Sequence, residues 1–330
     1  MSFNNATGFP ALDVPMPDHT GRPVVVVIVK ASFAILDDGR VVPLEQPTAI
    51  RINDVLHDED NPEGSIRLPT DICVEKHGTD VIVVGDALAS KPVTVMDVAV
   101  KVRDVTVPLR VHGERLFYQG LLGVTIGKAA PFERKAIVYE KAYGGVSADG
   151  ILVESRNRAG VGVARSKSDL VGKPAPQIEH PARPHTSAGD HHPPVGFGAI
   201  RSHWSPRLEH AGTFDETWQE TRMPAMPTDF DVRANNQAHP SLIFDEPLVA
   251  GDEIAVVGMS ARGVLSFRVP DLGVIIRARS DGSGQVEVRP HIDTILIEPE
   301  ERRFEVVVRA HFPQGRGAEV LREIRVEAGD

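Results

Sequence analysis

Short runs of β-branched residues recur along both ends of this chain, and turn-forming residues separate them at short, regular intervals. Val24 to Ile35 is the longest, ending at Asp37-Asp38-Gly39, after which Val41-Val42 returns as a hairpin partner. Asp80 to Ala87, Thr94 to Val102, Val105 to Val111 and Ala136 to Ala142 follow, with Ser90-Lys91-Pro92 as a break between the first two. Val98, Val100 and Val102 alternate with Ala99, Lys101 and Arg103, which predicts one packed and one exposed face. Beyond residue 250 the pattern resumes in Asp252 to Met259, Val264 to Val269, Val274 to Ala278, Gln285 to Arg289, Thr294 to Ile297 and Arg303 to Ala310. The turns between them include Ser260-Ala261-Arg262-Gly263, Ser280-Asp281-Gly282-Ser283-Gly284 and the charged tip Glu298 to Arg303.

Composition supports the same class. Gly 29 and Pro 26 make up about a sixth of the 330 residues, which disfavours long helices. The expected architecture is mainly β, with two β-rich lobes, sandwich- or meander-like, at 1–145 and 248–330. They are joined by an ordered but irregular segment at 146–247. Ten prolines between Pro174 and Pro240 predict that this segment crosses the surface in extended and turn conformations. It also holds both tryptophans, and a stretch with such large aromatics is not a disordered linker.

The net charge of −10 provides no basic field for nucleic acid. The longest apolar run, Val24 to Val29, is too short to cross a bilayer, and the first residues lack an export signal. The single cysteine, Cys73, lies between Ile72 and Val74 and reads as a small apolar residue in a reducing compartment. A cytoplasmic protein with no membrane partner is expected.

Chemistry-bearing residues concentrate in the central segment. His180, His185, His191, His192, His203 and His210 offer imidazole nitrogens to a metal, but their spacing follows no structural zinc pattern; solvated loop histidines are the alternative. Asp215-Glu216, Asp229 and Asp231 could supply the two carboxylates of a glycoside hydrolase, with Trp204 and Trp218 as stacking platforms. The same acids also suit turns and helix caps. Arg158 to Val163 and Gly196-Phe197-Gly198 are fragments of a phosphate-binding loop without its helix. No complete catalytic motif emerges, so neither an enzyme nor a cofactor is expected. The remaining set is Trp204, Arg207, Phe214, Trp218, Arg222, Phe230 and Arg233, residue types that form interface hot spots or anchor irregular loops to a core.

Many landmarks fall in a familiar order: Val29-Lys30-Ala31-Ser32-Phe33, Pro69-Thr70-Asp71, Thr79 to Ala87, Val111 to Arg115 and Pro131-Phe132. Tyr139 to Gly145, Pro194 to Gly198, Trp204 to Arg207, Ala211 to Asp215, Trp218, Pro227 to Asp231 and Asp293-Thr294 complete it. Over most of its length the chain resembles bacterial domain-of-unknown-function proteins that serve as adaptors for type VI secretion effectors. The resemblance implies a non-enzymatic helper that holds a secreted effector in the producing cell and loads it onto the trimeric spike or its tip protein. A structural component of the secretion particle and a carbohydrate-active hydrolase are the rival readings. Arg158 stands where the resembling proteins have proline in an Asn-Pro-x-Gly stretch, and Asn235 to Ala238 follows their polar cluster loosely. Neither loop therefore supports an inference about partner recognition.

Overall fold

A computed structural model describes residues 1–282, 284–315 and 320–329. The expected turn at Ser283 lies outside the described residues. The molecule is mainly β, and its α-helices among those residues are two short ones, Arg207–His210 and Glu216–Thr221.

The longest strand, Pro23–Ile35, is buried on both faces because it lies inside a seven-stranded sheet. The order across that sheet is Ile243–Phe244, Thr79–Val83, Ile292–Glu298, Arg303–Pro313, Pro23–Ile35 and Ala11–Pro17, with Val41–Pro43 also on Pro23–Ile35. Val25, Val27, Val29, Ala31 and Phe33 point into the main core. They meet Val98, Val100, Val102, Leu109, Ile254 and Phe267 from a five-stranded sheet ordered Ile178–Glu179, Val105–His112, Val95–Val102, Glu253–Val257 and Val264–Arg268. Val24, Val26 and Ile28 face the other way into a second cluster with Val307, Ile50 and Ile72. A four-stranded sheet, Ser2–Asn5, Leu321–Ala328, Val274–Ser280 and Gly284–Val288, adds Ile276 and Ile324 to the main core.

This topology corrects the expected division into lobes. Arg303–Pro313 pairs with Pro23–Ile35 along its whole length, Ile292–Glu298 pairs with Thr79–Val83, and Glu253–Val257 pairs with Val95–Val102. Residues 1–145 and 248–330 are thus interleaved in shared sheets around one core. Strands of similar composition carry no local signal of which partner they will find, so the pairing was invisible in the sequence.

Four local expectations also change. Asp80 to Ala87 breaks near Gly85 into Thr79–Val83 and Asp86–Val93. Pro92 sits inside the latter strand, which pairs on one side with Phe132–Ala136 and tolerates a residue without an N–H. Ala136 to Ala142 is a strand only up to Ala136, and Tyr139–Lys141 is a 3-10 turn. Glu140 fixes that turn by accepting from the Ser65 N–H and hydroxyl, both at 2.7 Å. The central segment does more than cross the surface, since Ile178, Phe197, Ala199, Trp204 and Leu242 are fully buried. The alternation of Val98, Val100 and Val102 is as expected.

Candidate partner-binding surface

The outer face of the seven-stranded sheet carries charge where a core would carry hydrocarbon. The Lys30 ammonium, fully buried, lies 3.0 Å from Asp71 and 3.0 Å from Glu305, and donates to the Ala49 carbonyl. Arg51 reaches the same two carboxylates, with 2.7 Å to Glu305. Alongside, Lys76 donates to Asp80 (2.8 Å), Gln237 (3.0 Å) and Thr294 (2.8 Å), while Asp80 accepts from the Asn236 side chain and the Gln237 N–H. Arg309 pairs with Asp293 and donates to the carbonyls of Asp71 and Cys73.

Four cations thus face four carboxylates, so the network is neutral, as a buried one must be to avoid the cost of an unpaired charge. Burial pushes the Glu305 and Asp293 carboxyls up, but the neighbouring Lys30 and Arg51, and Arg309, outweigh it and hold both below the ordinary range. The network clamps two irregular stretches, Ala49 to Lys76 and Asn235 to Gln237, onto the sheet. Burial also pushes the Cys73 thiol up, and its sulfur lies 2.8 Å from the Arg309 guanidinium.

On this mount the central residues divide into two groups. Trp204, 0% exposed, meets the Tyr139 ring edge-on at 5.7 Å and belongs to the framework. Arg207 donates to the Ile200 and Ala234 carbonyls, Phe230 stacks on His19, and Arg233 pairs with Asp231. Trp204, Arg207 and Phe230 act as anchors, whereas Arg233 is exposed and its partner lies two residues back. Phe214, by contrast, is exposed and touches Trp218 edge-on at 4.8 Å. Trp218 itself is half-buried, and its Nε1 donates to the Ala225 carbonyl at 2.8 Å. Arg222 donates to the Met226 carbonyl, which closes the turn that displays Met223 and Met226. Met223 is 61% exposed, and Met226 and Leu208 are exposed as well. Apolar side chains thus gather along this stretch of chain: Phe214 against Trp218, exposed Met223 and Met226 in the turn after the helix, and exposed Leu208 on the preceding short helix. Sequence reading found the two aromatics and missed Leu208, Met223 and Met226, because no periodicity distinguishes an exposed apolar residue in a turn.

The acids proposed for glycoside chemistry are engaged by the backbone. Asp215 caps the helix Glu216–Thr221 through the Trp218 N–H, and Asp229 accepts from the Thr213 N–H and hydroxyl. Asp231 caps a 3-10 turn, and its bonds with Arg233 hold its carboxyl well below the usual range. Trp204, enclosed in the framework, offers no face to a sugar. Of the histidines, His185 is buried and stacked on Tyr143, the Tyr143 hydroxyl bonds with His191, and His203 lies edge-on to Trp204. Among the described residues no three His, Cys, Asp or Glu side chains converge as a metal would require. The Gly160 to Gly162 fragment pairs in parallel with Tyr143–Gly144 instead of opening a helix. Asn157 donates to the Tyr139 and Tyr143 carbonyls, and Asn236 and Gln237 belong to the charged network.

Fold and surface together define a mainly β scaffold with a buried ion-pair network, to which the irregular segment is tied by hydrogen bonds of Asn236 and Gln237, and from which that segment displays aromatic and methionine side chains. The chain belongs to the bacterial family described as "Uncharacterized protein conserved in bacteria (DUF2169)", which matches residues 20–309. No curated protein and no solved structure matches it.

Proposed function

We propose that the protein is a non-enzymatic adaptor that binds a secreted effector of a type VI system and helps to load it onto the spike or its tip protein. The observation that carries the binding part of this reading is the exposed Phe214, Met223 and Met226 beside half-buried Trp218, in a stretch held by side-chain bonds of Trp218 and Arg222 to turn carbonyls. Aromatic residues concentrate binding energy, and methionine adapts to irregular partner surfaces. The secretion context comes from the sequence resemblance. Bonded as they are to backbone donors, Asp215 and Asp229 favour the adaptor over the hydrolase.

The test is co-purification of the chain with the toxin, spike or tip protein encoded beside it. Phe214→Ser with Met223→Ser should abolish capture and leave the melting temperature within a few degrees, because exposed side chains contribute little to folding. Capture by the double variant at wild-type level defeats the assignment of the surface. Failure of the wild type to bind any neighbouring product defeats the adaptor role. Recovery of the chain in the exported particle would make it a structural component instead.

A further inference from the structure

A second element is exposed in a way that folding alone does not explain. The strands Phe117–Gly120 and Gly123–Ile126 form a tight hairpin whose two loop residues are Leu121 and Leu122. Both leucines are 105% exposed relative to a reference chain. Two-residue hairpin loops favour Gly, Asn or Asp, which accept the required backbone at little cost. Here the positive φ falls on Gly123 (+131°), and the loop positions are given to two large apolar side chains that touch nothing. With no positive φ at either loop position the backbone accepts any residue there, so two large, fully exposed leucines without a packing gain mark a position shaped by something outside the fold.

The hairpin is firmly held. Phe117 and Val124 pack with Leu170, Ala175 and Ala188 in a small core of their own. The Phe117 N–H donates to the Lys173 carbonyl, the Gly172 N–H returns to the Phe117 carbonyl, and the Ile126 N–H donates to the Thr186 carbonyl. Around this base stand Lys128, Lys167 and Lys173, all exposed. Among the described residues none of the three has a carboxylate within ion-pair range. The neighbouring acids Asp169 and Asp190 are occupied by the backbone N–H groups of Ser166, Thr186 and Ser187. In a chain of net charge −10, an apolar tip with a collar of unpaired lysines runs against the overall field.

We propose that this hairpin is a docking finger, separate in composition and mounting from the Phe214 and Trp218 patch, which inserts Leu121 and Leu122 into an apolar pocket of a partner protein rimmed by carboxylates. The lysine collar supplies the charge complementarity, which steers encounter and fixes orientation. A protein pocket is favoured over an anionic lipid surface because two leucines add too little apolar area for stable membrane anchoring, and the rest of the chain would be repelled. The inference does not depend on the adaptor reading.

The test uses the full chain with a photo-crosslinking phenylalanine analogue at position 122, made at its natural level in the bacterium that encodes it. The protein joined to it is identified by mass spectrometry, purified and titrated with the unlabelled chain. Leu121→Gln with Leu122→Gln should weaken binding by roughly tenfold or more per leucine, the worth of burying such a side chain. Lys128→Glu with Lys173→Glu should weaken it too, and should remove most of the dependence on salt. Melting curves of both variants should match the wild type. No adduct, an adduct with a second copy of this chain, variants that bind as well as wild type, or leucine-dependent flotation with phosphatidylglycerol vesicles would each overturn the proposal. A partner that is neither secreted nor part of a secretion particle would count against the adaptor reading and leave the finger standing.

Discussion

Lys30→Met puts the buried network to its most direct test. The Lys30 ammonium sits between Asp71 and Glu305 at 3.0 Å each, with no exposed surface. Its loss leaves those two carboxylates sharing Arg51 alone and gives the network a net charge of −1. Removing one partner from a buried pair costs about 3–5 kcal/mol, a large part of the roughly 5–15 kcal/mol that holds a typical protein together. Glu305→Gln should cost a similar amount by the converse route, since Lys30 and Arg51 then compete for Asp71. The double variant restores neutrality. Its loss should therefore fall short of the sum of the single losses by about 1–3 kcal/mol, as expected for residues within one network. Urea denaturation monitored by tryptophan fluorescence gives the three midpoints, read at constant slope. If the single variants lose less than about 1 kcal/mol, or the two effects add within about 0.5 kcal/mol, the ion pairs do not hold the segment to the sheet as argued.

Two further outcomes follow from backbone space and protonation. Gly144→Ala should destabilise by about 3 kcal/mol or more, because its Cβ would stand 2.2 Å from the Asn157 carbonyl oxygen at φ +152°, whereas Gly150→Ala, at φ +74° in open space, should cost about 1 kcal/mol; equal melting temperatures would refute the close approach. Burial lowers the His239 pKa to about 4, so the folded chain keeps this imidazole neutral while the unfolded chain protonates it below about pH 6.5. Stability should accordingly fall as pH drops from about 6.5 to 4, and His239→Gln should flatten that slope when melting temperature is followed against pH; an unchanged slope would show that the ring is solvated.

The sequence disclosed strands better than their partners. Val24 to Ile35 and Arg303 to Ala310 were legible from β-branching, but nothing local says that they lie side by side, because hydrogen-bond partners in a sheet are set by the whole core. Leu321–Ala328 escaped notice since its alternation is diluted by Arg322, Arg325 and Glu327: Glu327 pairs with Arg277 on the neighbouring strand, Arg322 with Asp281 in the turn beyond it, and Arg325 with Glu323 on its own strand. Tyr139 showed the converse failure. Its β-rich surroundings read as strand, yet its ring is drawn under Trp204, and the following Glu140 is committed to Ser65. For the candidate surface, residue type pointed to Phe214 and Trp218 but could not separate them from Trp204 and Phe230. Exposure, which decides between anchor and contact, is a property of the folded chain.

That separation also explains what the sequence landmarks report. Lys30 of the strand Pro23–Ile35, Asp71, Asp80, Asp293 and Thr294 all come from the recognisable stretches, and all meet in one neutral buried network. Gly144 and Gly145 belong to another such stretch and sit where a Cβ would strike the Asn157 and Gly160 carbonyl oxygens. These residues are constrained by charge balance and by backbone clearance, both of which a substitution would break at a cost of several kcal/mol. Leu121, Leu122, Met223 and Met226 are under no such constraint from the fold, since their side chains are exposed. A match over residues 20–309 therefore says most about the mount and least about what the mount carries. Partner identity has to be sought in the turn tips, where the fold alone would accept almost any residue.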